Sequence, residues 1–278
     1  MLYTQSQVNL HTHSFYCMHG TGTISEFVQQ AKADGLKVLG FSEHAPLPDR
    51  EFQKGNRIEY VDLPLYERDV RAQKNDPDIK IFLGAECDWL PDEAGFYRDE
   101  LLGARGYDYL CCSIHHMEDT VTGKDKFLQY LTCMPAHQVA EYVDLYTEAL
   151  RSGMFLFGCH PDLFLSGHRA WDTDAISASR DIIQCALECD IPLEINDNGL
   201  RKKLIETPDG IRHPYPVEEF WEMARDMGVK IVINSDAHRP QDVSAHLRNS
   251  VGFVEKLGIR LAGWEIDDNH ISCVSLHS

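Results

Sequence analysis

The stretch Val8-Asn9-Leu10-His11-Thr12-His13, followed by His19, decides how the rest of the chain is read. Val8, Leu10 and the two histidines carry the pattern of a short strand. Residues two apart on a strand point to one face, so His11 and His13 project side by side. Two imidazoles at that spacing hold one divalent ion without a loop having to rearrange. His19 lies past the strand's end, where the turned chain presents a third nitrogen. One histidine alone would be an ordinary surface or cap residue. A His-x-His pair with a third histidine at a strand end points to metal.

Outward from there the chain alternates strand and helix. Thr23-Ile24-Ser25-Glu26 is a capping box that starts a helix running to about Asp34. An apolar strand over 38–42 finishes at Glu43-His44. Residues 45–63, with Pro46 and Pro48, read as irregular, and a helix follows near 65–75. A strand over 79–83 ends at Gly84-Ala85-Glu86; after a helix near 96–103, a strand over 109–114 ends at His115-His116. A long loop over 118–135 precedes a helix over 136–152 and a strand over 154–159 that ends at His160-Pro161-Asp162. A helix over 174–189 leads to a strand over 192–196. A helix over 217–227 leads to the last strong strand, 229–234, which ends at Ser235-Asp236-Ala237-His238. A helix near 243–257 precedes a weakly patterned tail.

Strands this apolar suit a parallel sheet covered on both faces. Alternation without a linker favours one α/β barrel domain over 1–278, with its chemistry at the strands' C-terminal ends. A doubly wound open sheet is the rival, but it would gather ligands from two or three strands, and here nearly every strand closes on one. The candidates are His11, His13, His19, His44, Glu86, His115, His160, Asp236 and His238. Nitrogen and carboxylate donors suit zinc, manganese or iron, and there are more of them than one ion uses.

Composition narrows the setting. The 278 residues hold 44 Asp plus Glu against 26 Lys plus Arg, a net charge of -18. That balance argues against nucleic-acid binding, which depends on basic residues neutralising phosphates. No apolar run is long enough for a membrane span, and the N-terminus lacks the regions of a signal peptide. Nine cysteines without a Cys-x-x-Cys read as reduced core thiols, hence a cytoplasmic protein. Oligomeric state is left open.

His11-Thr12-His13 with His19, Ser42-Glu43-His44, Gly84-Ala85-Glu86, Ser113-Ile114-His115, Cys159-His160-Pro161 and Ser235-Asp236-Ala237-His238 together resemble the polymerase and histidinol phosphatase (PHP) superfamily. The stand-alone length, Phe41-Ser42-Glu43-His44-Ala45-Pro46 and the run Glu194 to Lys202 resemble its monofunctional histidinol-phosphate phosphatase branch. The resemblance implies a distorted (β/α)7 TIM-like barrel with a centre of three divalent transition-metal ions. It implies that His11, His13, Glu86 and Asp236 hold the first ion. Glu86 then bridges to a second with His115 and His160, and His19, His44 and His238 hold the third. His116 either lines the pocket or replaces His115. The amidohydrolase type of barrel also opens with His-x-His and ends with a strand aspartate, but has no use for that third set.

The implied reaction is hydrolysis of a small phosphate ester, L-histidinol phosphate to L-histidinol and phosphate, in histidine biosynthesis. Metal binding brings the pKa of water to about 7 in the zinc case, so hydroxide can attack phosphorus without a protein nucleophile. Glu86, Asp236 and His116 are the residues expected to serve catalysis. Arg201 and Lys202, beyond the sixth strand, are the expected phosphate partners, Arg201 through a two-pronged contact. Glu43, Asp162 and Asp197 lie near strand ends and are candidates for the substrate's ammonium and imidazole. The loops at 45–62, 117–135 and 197–216 are expected to wall the pocket. Two other readings stand behind this one: the same chemistry on a nucleotide or sugar phosphate, and a non-catalytic metal-stabilised module.

Overall fold

The apolar runs form seven parallel strands: β1 (Val8–Asn9), β2 (Val38–His44), β3 (Lys80–Asp88), β4 (Tyr109–Ser113), β5 (Phe157–Gly158), β6 (Leu193–Asn196) and β7 (Ile231–Asn234). The computed structural model describes residues 1–47, 55–119, 124–127, 133–267 and 270–276. The strands are hydrogen-bonded in chain order from β1 to β7, all parallel. Every residue of β2 is buried, as expected of a sheet covered on both faces. This is the expected α/β barrel, nearly closed.

Closure relies largely on side chains. The strand pattern predicts a ladder through His13, but β1 stops at Asn9, and beyond it only Thr12 bridges to Ala237. The reason lies in two asparagines. Asn234 Oδ1 accepts the Leu10 N–H at 2.8 Å, and Asn9 Oδ1 accepts both the His11 and Ser235 N–H groups at 3.2 Å. Buried backbone donors are thus satisfied without a β1–β7 ladder. His11 and His13 are left on an irregular stretch whose backbone is nonetheless fixed.

Helices cover the outside. Ile24–Ala33 starts on the predicted capping box, Thr23 Oγ1 accepting from Glu26 N and Glu26 Oε2 accepting from Thr23 N. Ile24, Phe27, Val28 and Ala31 form its buried face; each of the three larger residues contributes about 1.5–3 kcal/mol. Leu63–Gln73, Ala136–Arg151, Thr173–Glu188 and Glu218–Met227 also fall near their expected places, and Phe96–Ala104 is π-helical. The expected helix over 243–257 is broken into short 3-10 turns and Ser250–Lys256. Asn9 Nδ2 takes the Val243 carbonyl at 2.7 Å, an acceptor that a continuous helix would have used. Parts of two expected loops form strand pairs: His116–Asp119 pairs antiparallel with Lys124–Phe127, and Ile205–Thr207 with Gly210–Arg212. The remainder of the 118–135 loop, apart from residues 133–135, and residues 48–54 of the 45–62 loop lie outside the described residues.

Inside the barrel, Tyr109 lies across Gly40 and Gly84. A Cβ at Gly84 would meet its ring at 2.4 Å, and its hydroxyl donates to Leu10 O at 2.7 Å. Phe157 stacks beside it, between the His11 ring above and the Trp264 ring below, each about 6.3 Å away. The tail read as weakly patterned forms Gly263–Ile266 and Ile271–Val274, an antiparallel sheet with Leu2–Tyr3. It places Trp264 under the barrel floor, fully buried. All nine cysteines are free thiols, and six are buried. No helix among the described residues is long and apolar enough to cross a membrane.

Candidate metal centre

Glu86 is the hub. It sits near the end of β3, the longest strand, and is 1 % exposed. Its Oε2 lies 3.4 Å from both His11 Nε2 and His13 Nε2, and 2.8 Å from His44 Nδ1. Its Oε1 lies 3.0 Å from His160 Nε2 and 3.7 Å from His115 Nε2. Asp236 Oδ1 approaches His13 Nε2 at 3.2 Å, His238 Nδ1 at 3.4 Å and His11 Nε2 at 3.8 Å. His238 Nε2 faces His19 Nε2 at 2.9 Å. The structure therefore draws all nine sequence-selected donors from six strand ends into one cluster.

His11 Nε2, His13 Nε2, Glu86 Oε2 and Asp236 Oδ1 are buried and have no hydrogen-bond partner among the described residues. Such atoms are costly unless something satisfies them. Four ligands about 2.1 Å from a tetrahedral ion lie about 3.4 Å apart. The spacings above bracket that value, so the residues fit a divalent metal. Similar groupings, ligand atoms within 4.8 Å, are made by His13, His44 and His238, and by His44, Glu86 and His115. His44 thus lies between two groups, where the family resemblance implies a place in only one.

The electrostatics agree for the two carboxylates and for three of the histidines. Burial pushes the Glu86 and Asp236 carboxyls up, but the surrounding histidines outweigh it and hold both well below the usual range. Burial and the neighbouring His13 lower His19 and His44 and bring His238 to about 3, whereas at His11 and His115 the neighbouring carboxylates outweigh burial and raise both. Ionised carboxylates and neutral imidazoles are the ligating forms. His160 and Asp236 have φ of 28° and 46°, in the left-handed region. Neither is glycine, so each carries a cost of roughly 1–3 kcal/mol that the surrounding structure must offset.

Around the donors lies a cavity of about 500 Å³, whose walls include Arg57, Arg201, Lys202 and Tyr215. Arg201 Nη1 and Nη2 donate to the carbonyls of Ser235 and Asp236, at 3.0 and 3.2 Å, and Nη1 also pairs closely with Asp197. Gly199 is needed here: a Cβ would stand 2.2 Å from Tyr215 O.

The three acids expected to meet the substrate are occupied elsewhere. Glu43 accepts from Ser14 N and Oγ at 2.7 and 2.5 Å, and burial pushes it up to about 8. Asp162 caps the Glu218–Met227 helix, accepting from Val217 N at 2.7 Å and Trp221 Nε1 at 3.1 Å, and burial raises it to about 6. Asp197 accepts from Ser250 Oγ at 2.9 Å as well as from Arg201. All are at most 1 % exposed, and none lines the cavity. His115 is the residue facing Glu86; His116 turns to Asp88, Nδ1 to Oδ2 3.7 Å.

Sequence reasoning passed over Glu194. Its Oε1 lies 2.8 Å from His11 Nδ1 and 3.0 Å from Asn234 Nδ2, and its Oε2 accepts from His160 N and Asn196 Nδ2. A carboxylate behind a ligating histidine fixes which nitrogen faces the metal. The available signal was an acid inside an apolar strand.

The sequence pattern of the PHP domain matches residues 9–198. The chain belongs to the PHP family. Among similar proteins, one from Deinococcus radiodurans named "Probable histidinol-phosphatase" is 29% identical over 254 residues, covering 90% of this chain and 93% of its own. A Schizosaccharomyces pombe protein of the same name is 22% identical over 273 residues, 91% of this chain and 87% of that one. The histidinol phosphate phosphatase of Lactococcus lactis, solved with zinc, L-histidinol and phosphate, superposes with a TM-score of 0.67 at 18% identity over 92% of this chain and 96% of that one. That superposition shows a shared fold.

Proposed function

We propose that this chain is a single-domain, metal-dependent phosphomonoesterase of histidine biosynthesis. It would convert L-histidinol phosphate to L-histidinol and inorganic phosphate in the cytoplasm. The observation that carries the reading is the gathering of seven histidines around Glu86 and Asp236, beside a cavity walled by Arg201 and Lys202. His11, His13, Glu86 and Asp236 would hold one ion, Glu86, His115 and His160 a second, and His19, His44 and His238 a third. Zinc, manganese or iron suits these donors. When bound, such ions lower the pKa of water and neutralise charge on the phosphoryl oxygens. The chain's own part is to orient and to exclude. Glu194 fixes the His11 ring, Arg201 holds the Asp236 backbone while presenting its guanidinium to the phosphoryl group, and buried Tyr215 closes the wall.

One observation favours a second reading, a PHP phosphoesterase for another small ester. Among the described residues, the only wall acid outside the donor set is Asp242, already clasped by Arg239 at 2.8 and 3.0 Å. That wall suits phosphate better than a cationic organic end. The test is inorganic phosphate release by metal-loaded protein from L-histidinol phosphate, nucleoside monophosphates, sugar phosphates and p-nitrophenyl phosphate. L-Histidinol phosphate is expected to lead the panel in kcat/KM. A nucleotide or sugar phosphate in first place would select the second reading.

A further inference from the structure

Most buried tyrosines in this barrel commit their hydroxyls to the backbone. Tyr66, Tyr97, Tyr109, Tyr142 and Tyr146 donate to the carbonyls of Gly84, Asp88, Leu10, Pro161 and Cys159, at 2.6–3.1 Å. A buried phenol generally finds such a partner, because an O–H left stranded is costly. Tyr215 is set as deeply, 4 % exposed, yet among the described residues its hydroxyl makes no hydrogen bond. Tyr107 also lacks a partner, but its oxygen is enclosed in the core. The Tyr215 oxygen is not enclosed, and the residue lines the cavity beside the donor cluster. Its hydroxyl therefore opens into that cavity.

The ring is held where it stands. A Cβ at Gly199 would meet Tyr215 Cδ2 and Cε2 at 2.4 and 2.6 Å, so the ring edge rests on the turn that leads into Arg201. Before it in the chain, Arg212 Nη1 donates to the carbonyls of His213 and Pro214, at 2.9 and 3.1 Å. After it, Asp162 accepts from Val217 N at 2.7 Å. Lys202 Nζ lies over the ring, 6.0 Å from its centroid, and the His160 ring is also 6.0 Å away. Tyr215 thus spans from a cation of the cavity wall to a donor of the metal centre. A phosphoryl group that reaches from one to the other lies against it.

We propose that the Tyr215 hydroxyl is a hydrogen-bond donor to the substrate's phosphoryl oxygens, set between the metal donors and Lys202. The inference rests on the phosphomonoesterase reading above and deepens it. A phosphoryl oxygen is a charged acceptor, and a bond to it is roughly twice as strong as one between neutral groups. A donor already fixed in place needs little reorganisation when the anion arrives. Because the phenol is uncharged, it adds this contact without repelling the dications that the donors would hold.

The test uses metal-loaded full-length protein, with inorganic phosphate as the probe in calorimetric titration. Tyr215→Phe removes the oxygen and leaves the ring on Gly199. It is expected to raise the phosphate Kd about tenfold or more, the scale of a hydrogen bond to a charged group. For p-nitrophenyl phosphate, kcat/KM should fall by at least about the same factor. Metal stoichiometry and Tm should stay at their wild-type values, since the hydroxyl holds no group of the protein. Wild-type phosphate affinity in Tyr215→Phe overturns the proposal. So does a weakened affinity that comes only with lost metal or earlier melting, which is what a packing role would produce. If the variant does not fold, 3-fluorotyrosine placed at position 215 of the zinc-loaded protein keeps both ring and hydroxyl. Its fluorine resonance should shift as phosphate is added and saturate with the calorimetric Kd, and a resonance that does not move overturns the contact. Wild-type protein that neither binds phosphate nor hydrolyses any ester defeats the underlying reading. Wild-type protein that does both, beside an unaffected Tyr215→Phe, defeats this inference alone.

Discussion

Glu194 shows how much of the centre depends on residues that touch no ligand position. Its two oxygens meet two asparagines, the His160 backbone and His11 Nδ1, so the His11 ring cannot turn without stranding a buried carboxylate. Glu194→Gln keeps the shape but removes the charge that faces His11. Metal affinity, read by competition with a chelator, is expected to fall 10–100-fold while the folded spectrum persists. Wild-type retention would show that β6 merely packs there. The donors themselves were legible, because His-x-His, Asp-x-His and single acids at strand ends form a pattern that no core requires. Their supports were not. Glu43, Asp162 and Asp197 sit at equally suggestive positions, and only packing reveals that Ser14, Val217 and Ser250 have claimed them.

At the scale of elements, the strand–helix alternation was readable because apolar runs and capping signals are local. The ends of β1 and β5 were not: Asn234 of β7 accepts the Leu10 N–H, while past β5 Glu194 of β6 accepts the His160 N–H and the Tyr146 hydroxyl donates to Cys159 O. Gly84 illustrates a constraint that crosses elements. The Tyr109 ring occupies the space of its missing side chain, so Gly84→Ala is expected to cost about 1–3 kcal/mol by overpacking. Adding Tyr109→Leu should recover part of that loss in thermal melts; strictly additive losses would refute the contact. His246 provides a pH signal from the 3-10 turn Ala245–Leu247. Burial lowers its pKa to about 3, against an ordinary value of 6.5. Below pH 6.5 the unfolded chain therefore binds the proton more readily, and stability falls as pH drops from 6.5 towards 3. The slope approaches about 1.4 kcal/mol per pH unit. His246→Gln should melt with a shallower dependence across that interval, and parallel curves for the two proteins would contradict the assignment.

For the whole molecule, the barrel needs both ends of the chain. Leu2–Tyr3 and the tail strands form the sheet that seats Trp264 beneath Phe157, and the tail's short, interrupted apolar pattern concealed this. Trp264→Ala is expected to cost about 3–5 kcal/mol and to lower Tm by roughly 10 °C, a loss spread over the barrel floor. An unchanged Tm would mean that the sheet is an ornament. Above that floor, the proposed function turns on one carboxylate, Glu86, which would be shared among metals. Elemental analysis of the wild-type chain, gently purified and reconstituted with zinc, manganese or iron, measures this directly when set beside Glu86→Ala. The account predicts three ions per wild-type chain and the joint loss of at least two in the variant. Saturation at one ion, or the loss of a single ion in Glu86→Ala, would contradict it.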